Sequence, residues 1–279
     1  MKLPTIFQIE LTSVCNVRCT MCPYSMMTRP KMHMQWDTLL NIVQYLRPFQ
    51  SVGLHVMGDP LLHPQLISMI KFIAQAGAQP EFATNGMALT EELADGLLTS
   101  GLHTIWFSID SADKDRYEAI RVGAVFEQVV ENVRYFLQQN DKAGQPVKAI
   151  IQKVGPVTDK ADSDAFIKMW APYDARVKFL DTWAGTFDYD VCVPDARQPC
   201  AEPWARVAIL VNGDVVPCCR DWEPKCVYGN INDDTMYTIW HGVQAEVLRQ
   251  DMLSGAYSVE PCASCREWWI TMDREVVEP

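Results

Sequence analysis

Glu10-Leu11-Thr12-Ser13-Val14-Cys15-Asn16-Val17-Arg18-Cys19-Thr20-Met21-Cys22-Pro23 overlaps the end of an apolar run, Ile6 to Leu11, and sets three thiols in C-x3-C-x2-C spacing. Thiolates are the usual ligands of iron-sulfur clusters, and this spacing suits three corners of one cuboidal cluster. A four-iron cluster held by three thiolates keeps one iron open to an exogenous chelating ligand. An open metal position is a chemical position.

Outward from this stretch, short β-like runs alternate with amphipathic helical stretches up to about residue 185. The spacing predicts strands at Ile6 to Leu11, Ser51 to Met57, Pro80 to Thr84, Thr104 to Asp110, Val147 to Val154 and Val177 to Trp183. Helices are expected over Trp36 to Arg47, Pro64 to Ala76, Thr90 to Ser100, Phe126 to Gln139 and Ala161 to Trp170, with caps at Asp37, Thr90 and Asp162. Gly77 and Gly101 sit where helix C-caps belong. This is an α/β pattern with enough strands for a partial (β/α)6 TIM-like barrel. In parallel βα folds chemistry gathers at the C-terminal ends of strands, and the thiol run follows the first strand at that end.

Beyond about Thr186 the pattern changes to irregular sequence and a hairpin, Val207 to Val211 and Val215 to Pro217 around Asn212-Gly213-Asp214. A helix over Met236 to Arg249 and a second group of cysteines follow. Two domains are expected, 1–185 and 186–279.

The chain has 279 residues, 48% hydrophobic content and a formal charge of −11. Its 24 Lys+Arg are scattered among 35 Asp+Glu, which argues against nucleic-acid binding. There is no signal peptide and no bilayer-length apolar segment, so no membrane partner and a cytoplasmic location are expected. Ten cysteines in that setting read as metal ligands rather than disulfides.

The triad resembles the radical S-adenosylmethionine (SAM) superfamily, in which SAM chelates the open iron and an injected electron cleaves its sulfonium. The resemblance implies a 5′-deoxyadenosyl radical that abstracts hydrogen, and a reductant such as flavodoxin or ferredoxin as partner. Where members carry Gly-Gly-Glu-Pro after the second strand, this chain has Met57-Gly58-Asp59-Pro60, a partial match that favours a backbone role in holding the SAM amino group. Asn85, after the third strand, and Ser108 and Asp110, ending the fourth, resemble the polar strand ends around SAM, and Arg121 lies where relatives place an arginine. Met21 stands where many members pack an aromatic residue on adenine.

Cys200, Gly213-x4-Cys218 and Cys262-x2-Cys265 resemble the SPASM auxiliary-cluster domain in its shortened, twitch form. The resemblance implies a small C-terminal α+β domain holding a second cluster, hence two 4Fe-4S clusters and SAM as cofactors. Cys219 is an alternative to Cys218, and tetrahedral zinc competes for the same four thiols. Cys192, Cys219 and Cys226 are left over, either as small buried residues or as hydrogen-atom donors to a substrate radical.

Gln8, Glu10, His55, Glu81, Gln152, Lys153, Asp181 and Trp183 are polar or aromatic positions on or beside the strands. His55 is the expected substrate-facing residue, and Glu81 or Lys153 the expected base. The short N-terminus lacks the peptide-capturing region of many relatives, which favours a small-molecule substrate. The chain resembles short members that dehydrogenate an alcohol and pass the surplus electron to the auxiliary cluster. A peptide or natural-product maturase, forming a cross-link or inverting a centre, is the second reading, and an iron-sulfur carrier without its own reaction is the third.

Overall fold

The computed structural model describes residues 3–154, 160–173, 175–180 and 197–268. β1 (Ile6–Ile9) runs into the cysteine loop, which carries the short β2 (Arg18–Cys19). Then follow α1 (Trp36–Val43), β3 (Ser51–Gly53), α2 (Leu66–Gln75), β4 (Gln79–Thr84), α3 (Glu91–Leu98), β5 (Thr104–Ser108), α4 (Lys114–Ile120), β6 (Arg121–Val122), α5 (Phe126–Lys142), β7 (Lys148–Val154), α6 (Lys160–Trp170) and β8 (Arg176–Leu180). The C-terminal part adds α7 (Glu202–Ala205), β9 (Arg206–Ile209), β10 (Asp214–Val216), β11 (Gly229–Asn230), α8 (Met236–Trp240) and α9 (Val243–Leu253).

Six parallel strands, in the order β1-β3-β4-β5-β7-β8, form the expected (β/α)6 sheet. Side chains alternate across it because successive Cβ atoms point to opposite faces. Phe7, Ile9, Val52, Phe82, Ile105, Phe107 and Ile151 are all at most 1% exposed and face the helices. Their partners include Leu39 and Ile42 of α1, Ile70 and Ile73 of α2, and Val133 and Phe136 of α5. The Phe107 and Phe136 rings meet edge to face at 5.3 Å. Each such side chain contributes roughly 1.5–3 kcal/mol by leaving water, so this layer fixes the sheet against the helices.

The opposite face is different. Gln8, His55, Glu81, Trp106, Gln152, Lys178 and Arg206 line a cavity there, with Gly53 and Ala83 leaving room between them. An ordinary barrel interior is filled by branched apolar residues. This one is polar and open.

The C-terminal hairpin joins the main sheet: β9 pairs in parallel with β1, from Ile6↔Arg206 to Ile9↔Ile209. β10 and β11 extend it antiparallel to a nine-stranded order β11-β10-β9-β1-β3-β4-β5-β7-β8. The Asn212-Gly213-Asp214 turn is present, with Gly213 at φ +93°, where a Cβ would lie 2.3 Å from Asn232 Nδ2.

Several expected boundaries change. The second strand stops at Gly53 instead of Met57, since the chain turns into the site there. The N-cap of α1 is Gln35, with Asp37 in its first turn, and Asp162 lies inside α6. Thr90 does cap α3, accepting from the Leu93 N–H. The single helix expected over Met236 to Arg249 is broken at His241-Gly242, where Gly242 takes the extended N-cap conformation of α9. The short α4, α7, β2, β6 and β11 carry too little periodicity to be read from sequence. The 185/186 boundary, Asp181, Trp183 and Cys192 lie outside the described residues. Among the described residues no helix is long and apolar enough to cross a membrane.

Candidate active site and auxiliary cysteine site

The cysteine loop is fixed at both ends. Cys19 pairs with Arg121 across the β2–β6 ladder, and the Thr20 N–H donates to Ile120 O at 2.8 Å. The Cys15 N–H donates to the Tyr24 hydroxyl at 2.9 Å. Cys15, Cys19 and Cys22 line one cavity of about 780 Å³ with Met21, Tyr24, His55, Met57, Gly58, Asp59, Asn85, Ser108, Arg121 and Gln152. Burial pushes the Cys15 thiol up to about 12 and raises Cys19 and Cys22 as well. Protons held this firmly must leave before the sulfurs can bind a metal.

The Met57-Gly58-Asp59-Pro60 loop is stitched to the cysteine loop through backbone. The Asp59 N–H donates to Val14 O at 2.8 Å. Gly58 has φ +43°, and a Cβ on it would come within 2.3 Å of Thr12 O and 2.8 Å of Val14 O. The Asp59 carboxylate accepts from the Leu61 N–H, the Thr84 hydroxyl and the Asn85 N–H at 2.8–3.0 Å. Burial raises its pKa against those three hydrogen bonds. The side chain is therefore occupied within the protein.

Asp110 is a correction. It does not line the cavity: one oxygen accepts from the Val154 N–H at 2.9 Å and the other from Arg121 Nε at 2.7 Å. Arg121 Nη1 in turn donates to Cys19 Sγ at 3.6 Å. Burial pulls the Arg121 pKa down, but Asp110 and the Cys19 sulfur outweigh it, and the guanidinium stays charged. Asp110 thus orients a cation onto the Cys19 thiol. Asn85 Nδ2 also points at a thiol, 4.0 Å from Cys15 Sγ, and Ser108 accepts from Gln152 Nε2 at 2.7 Å on the cavity wall.

The candidate catalytic residues separate. Lys153 faces the helix layer, 2% exposed and ion-paired with Asp162, so it cannot be a base in the mouth. Asp162 also accepts from the Ser111 hydroxyl at 2.6 Å and from the Ala112 N–H at 3.3 Å. His55 lines both the cysteine cavity and the polar lumen, and its Nδ1 accepts from the Ala83 N–H at 3.3 Å. Burial and the nearby Arg206 lower its pKa to about 4. That acceptor bond places the proton on Nε2. Glu81 lines the lumen, and its carboxylate makes no hydrogen bond or ion pair with a described residue. Pro60 stands behind the wall at the start of a 3-10 turn capped by Asp59.

Glu10, a candidate mouth residue by position, is fully buried structure. It accepts from Arg29, from the Met57 N–H and from the Val211 N–H, both at 3.1 Å. Arg29 and Tyr24 carried no sequence signal, because their roles depend on partners brought together only by the fold.

Cys200, Cys218, Cys219, Cys262 and Cys265 line a second cavity of about 850 Å³. The β9–β10 hairpin delivers Cys218 and Cys219, and a turn closed by Cys265 N–H to Cys262 O at 3.2 Å presents the other pair. Burial raises Cys218, Cys262 and Cys265. Among the described residues no three His, Cys, Asp or Glu converge on a single-ion site. Cys226 does not line this cavity; its N–H is tied to Asp221 at 2.9 Å and it is 7% exposed, as a small core residue would be. Cys219 also packs toward Tyr24, Met57 and Cys22, so both members of the Cys218-Cys219 pair stay eligible as ligand.

Comparison with known proteins bears on both cavities. The profile of the radical SAM superfamily matches residues 9–151, a little over half the chain, and an iron-sulfur cluster-binding domain, SPASM, matches residues 200–266. An S-adenosyl-L-methionine-dependent 2-deoxy-scyllo-inosamine dehydrogenase from Niallia circulans is 23% identical over 91% of this chain and 89% of its own length. A GTP 3′,8-cyclase from Alkaliphilus metalliredigens is 30% identical over 61% of this chain, and the match spans 54% of that relative. The structure of BtrN in complex with AdoMet and 2-DOIA superposes with a TM-score of 0.60 at 21% identity, covering 92% of this chain and 89% of BtrN. That likeness is one of fold.

Proposed function

The chain belongs to the radical SAM superfamily, with SAM and 4Fe-4S clusters as its cofactors, and from that premise we propose that it dehydrogenates an alcohol carbon of a small polar metabolite, a sugar or polyol. The observation that carries this reading is the polar lumen. It shares His55, Ala83 and Gln152 with the cysteine cavity, so a hydrophilic molecule in it lies against the SAM site. The near full-length match to a dehydrogenase agrees with it.

Cys15, Cys19 and Cys22 would hold the cluster that SAM chelates; Cys200, Cys218 or Cys219, Cys262 and Cys265 would hold the other. When bound, these groups supply a hydrogen-abstracting 5′-deoxyadenosyl radical and a one-electron acceptor. The protein's share is positioning and proton handling. The Met57-to-Asp59 backbone, Asn85 and Ser108 would hold SAM beside the thiol loop, and Met21 would pack on its base. His55, neutral, offers Nε2–H to the substrate oxygen. Glu81, unpaired in the lumen, takes the proton that the substrate loses with its hydrogen atom and its electron. Those three losses convert an alcohol to a carbonyl. A flavodoxin or ferredoxin would supply the priming electron.

Anaerobic reconstitution with SAM, reductant and a metabolite extract tests this. About one 5′-deoxyadenosine per carbonyl product and about eight irons per chain are expected for two four-iron clusters. Cleavage stimulated only by peptide fractions would overturn the small-molecule reading, and about four irons with bound zinc would overturn the second cluster.

A further inference from the structure

The auxiliary cavity is lined by three arginines, Arg197, Arg206 and Arg220, against two glutamates, Glu202 and Glu267, one net positive charge before any thiolate is counted. The arginines are held in place. Arg197 donates to Ala263 O at 3.1 Å, is hydrogen-bonded to Cys262 O, and lies 4.3 Å over the Tyr257 ring. Arg220 is ion-paired with Glu267. Arg206 is ion-paired with Glu202 and donates from Nη1 to Gln8 Oε1 at 3.0 Å.

Arg206 differs from the other two in lining the polar lumen as well as the auxiliary cavity. It is the first residue of β9, paired with Ile6 of β1, so its backbone is anchored beside both spaces, and Glu202 and Gln8 hold its guanidinium. Its charge reaches His55 on one side and the Cys218 and Cys219 sulfurs on the other.

A four-iron cluster with four thiolates is a dianion that becomes a trianion on reduction. A fixed, poorly solvated cation beside its sulfurs favours the more negative state and raises the reduction potential, and a carboxylate there does the reverse. We infer that Arg206 is the positioning residue that makes the auxiliary cluster an electron acceptor: its guanidinium raises the cluster's potential while Gln8 and Glu202 hold it between substrate and cluster. The electron-accepting role rests on the dehydrogenase reading; the sign of the charge effect does not.

The experiment is an EPR-monitored redox titration of the full reconstituted chain, with Cys15, Cys19 and Cys22 changed to Ala in parallel to isolate the auxiliary signal. Arg206→Gln is expected to lower the auxiliary midpoint potential, Arg206→Lys to lower it less, and Glu202→Gln to raise it, with iron content unchanged. A loosening of the fold would move the two Gln variants in the same direction, and that outcome, or an unmoved potential in Arg206→Gln, overturns the assignment. If the shifts have opposite signs but no carbonyl product is found with any metabolite, the charge assignment stands and the dehydrogenase reading falls.

Discussion

Glu10 and Arg29 meet in a two-pronged ion pair at the top of β1, with Arg29 Nη1 2.7 Å from Glu10 Oε2 and the second prong closed by Nη2. The same carboxylate accepts the Met57 and Val211 N–H groups, and Arg29 Nε donates to Trp222 O at 2.6 Å. One buried charge pair thus ties the thiol loop, the Met57-to-Pro60 loop and the C-terminal hairpin together.

Glu10→Gln leaves the guanidinium without its counter-charge in a largely dry site, and removing one partner of a buried pair costs about 3–5 kcal/mol. Anaerobic denaturant unfolding should show that loss. The double variant Glu10→Gln, Arg29→Met should recover part of it. Two independent, additive losses would sink the idea of a coupled pair.

Gly58→Ala places a methyl against three backbone atoms, the nearest at 2.3 Å, in a left-handed conformation. Moving that backbone displaces the loop assigned to SAM. SAM binding should weaken by at least about tenfold, or about 1.4 kcal/mol, with cluster content retained. Unchanged affinity by equilibrium dialysis would remove the loop from the SAM site.

His55 has its pKa lowered from 6.5 to about 4 in the folded chain. Between those values the unfolded state binds more protons than the folded one, so stability rises with pH there. The His55 contribution is complete above about 6.5 and drains away as pH falls toward about 4. His55→Gln should flatten that part of the stability profile measured by denaturant midpoint. An unchanged slope would mean the ring is charged or solvated.

Arg121→Gln removes the cation from Cys19 and strands Asp110, which is 1% exposed. A cost of about 3–5 kcal/mol is expected, and Arg121→Gln with Asp110→Asn should restore most of it. The single variant should also lower the potential of the N-terminal cluster, by the same charge argument that applies to Arg206. If the paired variant is no more stable than the single one, Asp110 has another partner.

Cys262→Ala and Cys265→Ala should each reduce iron from about eight to about four per chain, and Cys226→Ala should leave it at about eight. Iron lost from Cys226→Ala would place that thiol among the ligands.

The parts of this fold written in short-range pattern were legible in sequence: six parallel strands, five of the helices, the hairpin at Asn212-Gly213 and the two cysteine groups. Thr90 could be recognised as a cap because capping is a contact three residues long. Lys153 was misplaced because a strand's period says which residues share a face, not which face meets the helices. Asp110 was misjudged for a related reason. A carboxylate at a strand end reads the same whether it meets a ligand or Arg121, and only the pairing of Cys19 with Arg121 brings that arginine there. Glu10 looked like an interruption in an apolar run, since its four donors come from three distant segments.

The pairing of β9 with β1 has a mechanical consequence. Three residues past Glu10, the neighbouring strand's end, the chain turns toward Cys15, and β9 feeds the hairpin that ends at Cys218, with Ile9 and Ile209 side by side. The spacing of the two thiol groups is therefore set by hydrogen-bond register, a ruler graduated at about 3.3 Å per residue. A slip of one place would turn every side chain of β9 to the wrong face. The span between the two thiol groups thus stays locked to the backbone ladder beneath them.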